Sequence, residues 1–213
     1  ETLGGFIVMC GICGFTGELL NRDRVLKDMA DKIIHRGPDS CGYFSNPEIS
    51  MGFRRLSIID LEAGDQPIFN EDKTLVLTFN GEIYNYKELR EELQRKGHIF
   101  ATHTDSEVLI HGFEEWREGL LNRLRGIKPM HYTKVGDHLV YGSEIKSILQ
   151  FPGFEKKFNY DTLNNYLSFQ YAVPPQTFFE NLYCLLPGHY LWYKNGKITT
   201  TRYWEAMFEP QND

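Results

Sequence analysis

The sequence has few cysteines, no excess of positive charge and no long apolar run, and each of these features excludes a class of protein. Four cysteines among 213 residues are too few for a disulfide scaffold. Lysine and arginine number 23 against 29 acidic residues, so no broad basic field is available for nucleic acid or an anionic membrane surface. No apolar run approaches the roughly 20 residues of a membrane span. We therefore expect a globular, cytoplasmic protein with no nucleic-acid or membrane partner.

Common metal and nucleotide motifs are also missing. The chain has no Walker-type glycine-rich loop and no H-E-x-x-H pair, and its one C-x-x-C motif, Cys10 to Cys13, has no second copy. Strand alternation would place Cys13 in the core, which argues against a metal protein built on this pair. We expect neither a metal site nor a bound cofactor.

The stretch from Met9 to Phe15 contains the strongest candidate for catalysis. A strand that starts with a cysteine can present a nucleophile, and a nucleophilic thiol needs a base nearby. If the residues before Cys10 were removed, its α-amine would have a pKa of about 7.7 to 8.0 and could act as that base. From spacing alone, a redox or metal pair remains the alternative.

Hydrophobic periodicity predicts a mixed α and β chain. A helix is expected after Asn21, with Val25, Leu26, Met29 and Ile33 as an apolar stripe on one face. A second is expected from Asn85 to a C-cap at Gly97, and a third after Ser106 with Val108, Leu109, Phe113 and Trp116 facing inward. Shorter helical patterns cover Ser143–Leu149 and Asp161–Phe169. Strands are expected at Gly11–Phe15, Cys41–Ser45, Ile49–Ile59 and Thr74–Phe79, with hairpins around Gly136-Asp137 and Asn195-Gly196. Asn80-Gly81 is expected to form a tight turn with positive φ. His35-Arg36-Gly37-Pro38-Asp39 is expected to be a fixed loop with its charges outside the core.

Four separate stretches offer groups that could bind an amino acid: Cys10, Arg55, Asn80-Gly81-Glu82 and Asp105. A guanidinium can bind an α-carboxylate with two hydrogen bonds, and a carboxylate can accept from an α-ammonium. An asparagine side chain and the following glycine N–H can form an oxyanion hole. Each group also has a structural alternative, because Arg55 could be an edge-strand charge, Asn80-Gly81 a simple turn and Asp105 a helix cap.

The sequences around these residues resemble the class II glutamine amidotransferases, and most closely the glutaminase domain of asparagine synthetases. The matching blocks are Met-Cys-Gly-Ile at 9–12, His-Arg-Gly-Pro-Asp at 35–39, Arg-Leu-Ser-Ile-Ile-Asp at 55–60, Gln-Pro at 66–67, Asn-Gly-Glu-Ile-Tyr-Asn at 80–85, Thr-Asp-Ser-Glu at 104–107 and Ser-Glu-Ile-Lys-Ser-Ile-Leu at 143–149. The resemblance implies an N-terminal-nucleophile hydrolase fold, which is an α+β, four-layer αββα sandwich of two antiparallel sheets.

The resemblance also implies roles for individual residues. Cys10 would attack the γ-amide of glutamine and form a thioester, while its α-amine moves the proton. Asn80 and Gly81 would hold the oxyanion, Arg55 the substrate carboxylate and Asp105 the substrate ammonium. The backbone near Ile58 and Ile59 would complete the pocket together with Glu82. Family members pass the ammonia to a synthetase domain that uses ATP and Mg²⁺, and the pyrophosphatase loop of that domain is missing here.

The same resemblance predicts the bounds of the domain, and the sequence departs from the family pattern in two places. We expect an amidotransferase domain at 10–150, a segment at 151–213 that completes it and connects toward a synthetase domain, and an extra segment at 1–9. That extra segment would acylate the Cys10 nitrogen. The family inserts two further strands where Gly126 here runs directly into Ile127, so we predict that residues are missing at this junction. The rival interpretation is therefore a catalytically silent amidotransferase-like binding or scaffold module, and a homodimer stays open.

Overall fold

The structure is a computed structural model, and it describes residues 10–56, 65–124 and 130–205. Its strands are β1 (Gly11–Thr16), β2 (Ser40–Ser45), β3 (Ile49–Arg55), β4 (Ile68–Phe69), β5 (Val76–Leu77), β6 (His131–Val135), β7 (His138–Gly142), β8 (Leu182–Cys184), β9 (His189–Lys194) and β10 (Lys197–Arg202). Its α-helices are α1 (Arg22–Asp31), α2 (Tyr86–Arg95), α3 (Glu107–Trp116), α4 (Ile145–Ile148) and α5 (Tyr160–Phe169), and a 3₁₀ helix spans Arg117–Asn122.

Six antiparallel strands form the main sheet in the order β2-β3-β1-β7-β6-β8. Two smaller antiparallel sheets pair β4 with β5 and β9 with β10. Because neighbouring strands in the main sheet run in opposite directions, the start of β1 lies beside the ends of β3 and β7. Side chains from all three strand ends can therefore meet at one edge of the sheet.

Helices α1 and α4 pack on one face of the main sheet. The core between them contains Cys13 and Phe15 from β1 and Leu26, Met29 and Ile33 from α1 or just beyond it, all at most 1% exposed. Burying one such large apolar side chain contributes about 1.5–3 kcal/mol. The stripe predicted for α1 therefore faces this sheet as expected.

The small β4–β5 sheet and helices α2 and α3 lie on the opposite side. The rings of Phe44 on β2 and Phe69 on β4 pack edge to face at 5.7 Å, and α3 packs against both β4 and β5. The order of layers is therefore helices, main sheet, small sheet, helices. The predicted α+β sandwich of antiparallel sheets is confirmed.

Local sequence signals located most elements correctly. Gly97 has a φ of 100° directly after α2, and the hydrogen bonds from Gly97 N to Gln94 O and from His98 N to Leu93 O complete a Schellman motif. Asn195 and Gly196 both have positive φ in the β9–β10 turn. The predicted hairpin around Gly136 also forms.

Two local predictions are wrong. Neither Asn80 nor Gly81 has positive φ. The Asn80 side chain is buried and donates to Ser143, the residue directly after β7. The strand predicted over Thr74–Phe79 contains only Val76–Leu77. It ends early because the Phe79 carbonyl accepts from the Gln66 side chain at 3.1 Å rather than from another strand.

The predicted interruption at Gly126–Ile127 lies outside the described residues, as do residues 57–64 with Ile58 and Ile59. The strand predicted over Ile49–Ile59 is described only as Ile49–Arg55. No helix in the described ranges has the length and apolar character needed to cross a bilayer.

Candidate active site

Cys10 directly precedes β1 and lies at the sheet edge where the ends of β3 and β7 meet. It is half-buried, and its Sγ lies 3.4 Å from the backbone nitrogen of Leu56 and 3.7 Å from the Leu56 carbonyl oxygen. Leu56 is the residue after Arg55, the last residue of β3. The structure therefore brings the candidate nucleophile and the candidate carboxylate-binding arginine to the same place.

Cys13 has a different environment from Cys10. It is fully buried between β1 and α1, and this burial raises the pKa of its thiol to about 12. A thiol with so high a pKa is not a nucleophile near neutral pH. The prediction that Cys13 belongs to the core is confirmed, and of Cys10 and Cys13 only Cys10 is placed for chemistry.

Arg55 is 7% exposed, and its Nη1 donates to the Asp65 carboxylate at 3.2 Å. Asp65 is on the surface, with 87% of its side chain exposed. A cavity of about 320 Å³ opens beside Asp65 and strand β2. Neither Arg55 nor Cys10 lines this cavity. A substrate carboxylate could replace the Asp65 carboxylate on Arg55, because both offer two oxygens to a planar guanidinium.

Asn80 reaches the same sheet edge through Ser143. The Asn80 Nδ2 atom donates to Ser143 Oγ at 3.3 Å, and this hydroxyl also accepts from the backbone nitrogen of Ile12 at 3.0 Å. The Ser143 backbone nitrogen donates back to the Ile12 carbonyl at 2.9 Å. An asparagine amide has two N–H donors, so one can hold Ser143 while the other serves an oxyanion.

Asp105 precedes α3 and is tied to the segment that follows Gly81. Its Oδ2 accepts from the Ile83 backbone nitrogen at 2.8 Å. Burial raises the pKa of Asp105, and the nearby Glu82 carboxylate raises it further, although backbone N–H groups oppose both effects. Asp105 is half-buried, and a partly desolvated carboxylate beside a second carboxylate favours binding of a cation such as an α-ammonium. Glu82 itself is exposed.

The loop at 35–39 contacts the site through Arg36, although the sequence pattern predicted that its charges would lie away from the core. His35 is exposed as predicted, but Arg36 is not, because only 23% of its side chain is exposed. Arg36 Nε donates to the Cys10 carbonyl at 3.0 Å, and its Nη1 pairs with Glu144 at 3.2 Å. A Cβ on Gly37 would lie 2.4 Å from the Arg54 carbonyl carbon, so only glycine allows this close approach to β3.

Three contacting residues were therefore missed: Arg36, Ser143 and Glu144. All three lie in sequence blocks that carry the family resemblance, His-Arg-Gly-Pro-Asp and Ser-Glu-Ile. Their position in these blocks could have marked them as site residues. Neither their charge nor the hydrophobic periodicity around them distinguishes them from ordinary surface residues.

Comparison with known proteins identifies the family of this chain. The sequence profile of the glutamine amidotransferase domain family matches residues 9–127 and 124–204. Asparagine synthetase [glutamine-hydrolyzing] 1 of Bacillus subtilis (strain 168) is 36% identical over 230 residues, which cover 93% of this chain and 36% of the relative. Asparagine synthetase [glutamine-hydrolyzing] 1 of Arabidopsis thaliana is 45% identical over 123 residues, covering 56% of this chain and 20% of the relative.

Solved structures share the fold at low sequence identity. The glutamine phosphoribosylpyrophosphate amidotransferase from B. subtilis matches with a TM-score of 0.64 at 17% identity, covering 93% of this chain and 50% of that protein. The allosteric regulatory enzyme of purine biosynthesis matches with a TM-score of 0.66, also at 17% identity. At this identity the likeness concerns the fold alone.

The comparisons also bear on the size of the chain. The chain spans little more than a third of the B. subtilis synthetase. The two matched segments of the family profile meet at residues 124–127, and the alignment of 230 residues is longer than the chain itself, so the relative has residues without a counterpart here. The resemblance noted from the sequence is confirmed, and the chain belongs to the glutamine amidotransferase domain family.

Proposed function

We propose that this chain hydrolyses glutamine to glutamate and ammonia through a thioester on Cys10. The observation that carries the proposal is the meeting of three strand ends around one half-buried thiol. Cys10 Sγ contacts the Leu56 backbone beside Arg55, while Ser143 brings the Asn80 amide to the neighbouring end of β7.

In the first step, Cys10 Sγ bonds to the γ-carbonyl carbon of glutamine and the thiol proton passes to the Cys10 α-amine. The carbonyl electrons move to oxygen, where the Asn80 side chain and the Gly81 N–H stabilise the charge. Collapse breaks the C–N bond, and the amine returns its proton to the departing ammonia. Water then adds to the thioester, and glutamate leaves as the thiol is regenerated.

Substrate recognition uses the two charged groups of an amino acid. Arg55 would bind the α-carboxylate in place of Asp65, and Asp105 would accept from the α-ammonium. Glu82 and the backbone near Ile58 and Ile59 would line the remainder of the pocket. This reaction uses no cofactor, while an ATP- and Mg²⁺-dependent synthetase domain would consume the ammonia in the longer protein.

The surface of α5 supports such a partner domain. Large apolar side chains on and after this helix are more than half exposed, namely Tyr160, Leu167, Phe169 and Tyr171. Several large exposed apolar side chains on one segment are typical of protein–protein contacts. We infer that residues 10–150 form the amidotransferase domain, and that 151–213 complete it and lead toward a synthetase domain. A second copy of the chain, in a homodimer, is the other partner that could cover the exposed apolar side chains of α5. We also infer that the protein acts in the cytoplasm.

Glutamate release from glutamine tests the proposal directly. The protein, processed so that it starts at Cys10, should release one glutamate per glutamine, and Cys10→Ala should release none. Cys184→Ala is the matched control, because this half-buried thiol lies on β8 at the far edge of the main sheet. Glutamine binding without turnover by the processed protein would instead identify a silent binding module, and activity retained in Cys10→Ala would refute the proposal.

A further inference from the structure

Four side chains that could bind a metal ion converge away from the cysteine. Glu71 lies in the turn between β4 and β5, His98 follows α2, and His111 and Glu114 lie three residues apart on α3. One ligand atom from each of the four lies within 4.8 Å of the others. None of the four belongs to the proposed glutamine pocket.

The distances between the histidine nitrogens and the glutamate oxygens fit ligands around a small cation better than side chains bonded directly to one another. Glu71 Oε2 lies 3.5 Å from His111 Nδ1, Glu71 Oε1 lies 4.0 Å from His98 Nδ1, and Glu114 Oε2 lies 3.7 Å from His98 Nδ1. These separations are too long for hydrogen bonds. Ligands at the 2.0–2.2 Å distances of zinc are about 3.3–3.6 Å apart around a tetrahedron, so a small contraction would enclose an ion.

His111 provides an independent indication of a ligand. Its side chain is 2% exposed, and neither ring nitrogen has a hydrogen-bond partner. Glu114 Oε2 is likewise buried without a partner, although Glu114 Oε1 accepts from Asn70 at 3.4 Å. Buried polar atoms are nearly always satisfied in folded proteins, so orphaned atoms that point into a shared space indicate an absent partner.

Both imidazoles are oriented in the same way. The Nδ1 atoms of His98 and His111 face the cluster, while the Nε2 atoms face carboxylates outside it. His111 Nε2 lies 3.5 Å from Glu107, and His98 Nε2 lies 3.6 Å from Glu115. These two separations are also longer than hydrogen bonds. A carboxylate on the Nε2 side nevertheless favours the tautomer that has its proton on Nε2, which leaves the Nδ1 lone pair free for a metal. Metal-bound histidines usually have a carboxylate or carbonyl beside their second nitrogen in this way.

Charge balance favours a divalent ion. Two neutral imidazoles and two carboxylates carry a charge of about −2, which one divalent cation neutralises. Nitrogen and carboxylate ligands together suit Zn²⁺ and neighbouring transition metals better than Mg²⁺ or Ca²⁺, which prefer oxygen alone. We propose that Glu71, His98, His111 and Glu114 bind one Zn²⁺-type ion that joins the β4–β5 turn to α2 and α3.

Cobalt titration of the chelator-treated protein tests this site. We use Co²⁺ because tetrahedral coordination gives visible d–d bands, and accessible thiols are first alkylated so that cysteine cannot bind the metal. One equivalent should bind without sulfur-to-cobalt charge-transfer bands and be displaced by Zn²⁺. Zn²⁺ should also raise the thermal midpoint, since an ion that binds only the folded state stabilises it.

Variants decide whether these residues are the ligands. His111→Gln and Glu114→Gln should each weaken binding by at least about tenfold. His189→Gln should bind as the wild type does, because this histidine is not one of the four clustered side chains. Glu114→Gln preserves shape in a half-buried position, so it remains informative if His111→Gln fails to fold. The proposal is overturned if the wild type binds no ion, or if Glu114→Gln and His189→Gln bind equally well. The readouts do not involve glutamine, so this result is independent of the proposed activity.

Discussion

Arg36 donates a hydrogen bond from Nε to the backbone carbonyl of Cys10 at 3.0 Å, and its Nη1 pairs with Glu144. In the proposed mechanism, Cys10 supplies both the nucleophilic thiol and the basic amine. The orientation of its backbone therefore determines where both groups point. In that mechanism Arg36 would be a positioning residue, because it contacts the Cys10 carbonyl oxygen rather than the thiol or the amine.

Arg36→Met should lower kcat while leaving the glutamine KM nearly unchanged. Hydrogen bonds to charged groups contribute about 1.5–3 kcal/mol, which corresponds to roughly a 10- to 100-fold loss in rate. Arg36→Lys should restore part of the rate because it keeps a donor. Arg24→Met on the exposed face of α1 is the control. A rise in KM at constant kcat would contradict the positioning role.

Asn80 and Ser143 should differ in their effect on the rate. Asn80→Ala removes a proposed oxyanion donor, so kcat should fall by about 10²- to 10³-fold. Ser143→Ala removes the acceptor that holds Asn80 and the Ile12 nitrogen, so it should cost less in rate and also reduce stability by about 1–3 kcal/mol. Steady-state kinetics and urea unfolding separate the two effects, with the exposed Ser168→Ala as control. Equal and small rate losses would argue against an oxyanion role for Asn80.

Arg55 and Asp105 should govern glutamine affinity. Arg55→Lys keeps the charge but loses the planar fork, and Asp105→Asn loses the charge that would pair with an ammonium, so both should raise KM. Neither should change iodoacetamide labelling of Cys10. Arg54→Lys provides a contrast, because the Arg54 guanidinium pairs with Asp31 on α1 and should affect stability instead. Wild-type KM values in both site variants would require other residues to bind the α-carboxylate and α-ammonium.

The sequence predicted correctly those helices, caps and turns that depend on a few neighbouring residues. The α1 stripe, the Gly97 C-cap and the Asn195-Gly196 turn each follow from the conformational preferences of a few adjacent residues. Contacts such as Ile12 N to Ser143 Oγ depend instead on the pairing of distant strands, which local patterns do not encode. The family resemblance supplied the candidate site residues, but it did not reveal what holds them in place.

In helix α3 as well, the local sequence pattern did not predict contacts with distant parts of the chain. Val108 is fully buried as predicted, whereas Leu109, Phe113 and Trp116 are only half-buried. The apolar stripe gave no hint that the polar Glu107 and His111 would be among the most buried side chains. Their burial depends on partners from the 98–102 segment and from Glu71, which only the folded chain brings near.

Because of Glu107, the free energy of unfolding should fall as the pH is lowered through the acid range. Burial alone would raise the pKa of Glu107, but His111 and the hydrogen bonds from Ala101 and Thr102 outweigh it and lower the pKa from 4.5 to about 2. A lowered pKa means that the folded state favours the ionised form. The stabilisation is present above about pH 4.5 and is lost as the pH falls toward 2. At about 1.4 kcal/mol per pH unit it amounts to about 3 kcal/mol.

Urea unfolding of Glu107→Gln in the presence of a chelator measures this contribution. The variant should be less stable than the wild type at pH 7, and the difference should shrink between pH 4.5 and pH 3. Glu91→Gln on the exposed face of α2 should show little difference at any pH. A difference for Glu107→Gln that stays constant down to pH 3 would contradict the assignment.

The mechanism makes its strongest prediction about the residue at the amino terminus. A free α-amine gives the Cys10 thiol a base within the same residue, whereas an amide nitrogen cannot accept the proton. Protein that still carries Met9 should therefore be nearly as inactive as Cys10→Ala. Glutamate release should increase in proportion to the fraction of molecules that begin at Cys10, measured by the mass of the N-terminal peptide in the same samples.

Cys10→Ser provides the matched variant, because it keeps the α-amine and replaces the thiol with a less acidic hydroxyl. It should be very slow at best even when fully processed, since both the nucleophile and the base are needed. Full activity from protein that retains Met9 would refute the amine as base. His35 would then be the first alternative to test, because it precedes Arg36 in the loop that contacts Cys10 and its Nε2 lies 2.8 Å from Glu144. His35→Gln should leave the activity of processed protein intact if the amine is the base, and abolish it if the imidazole is.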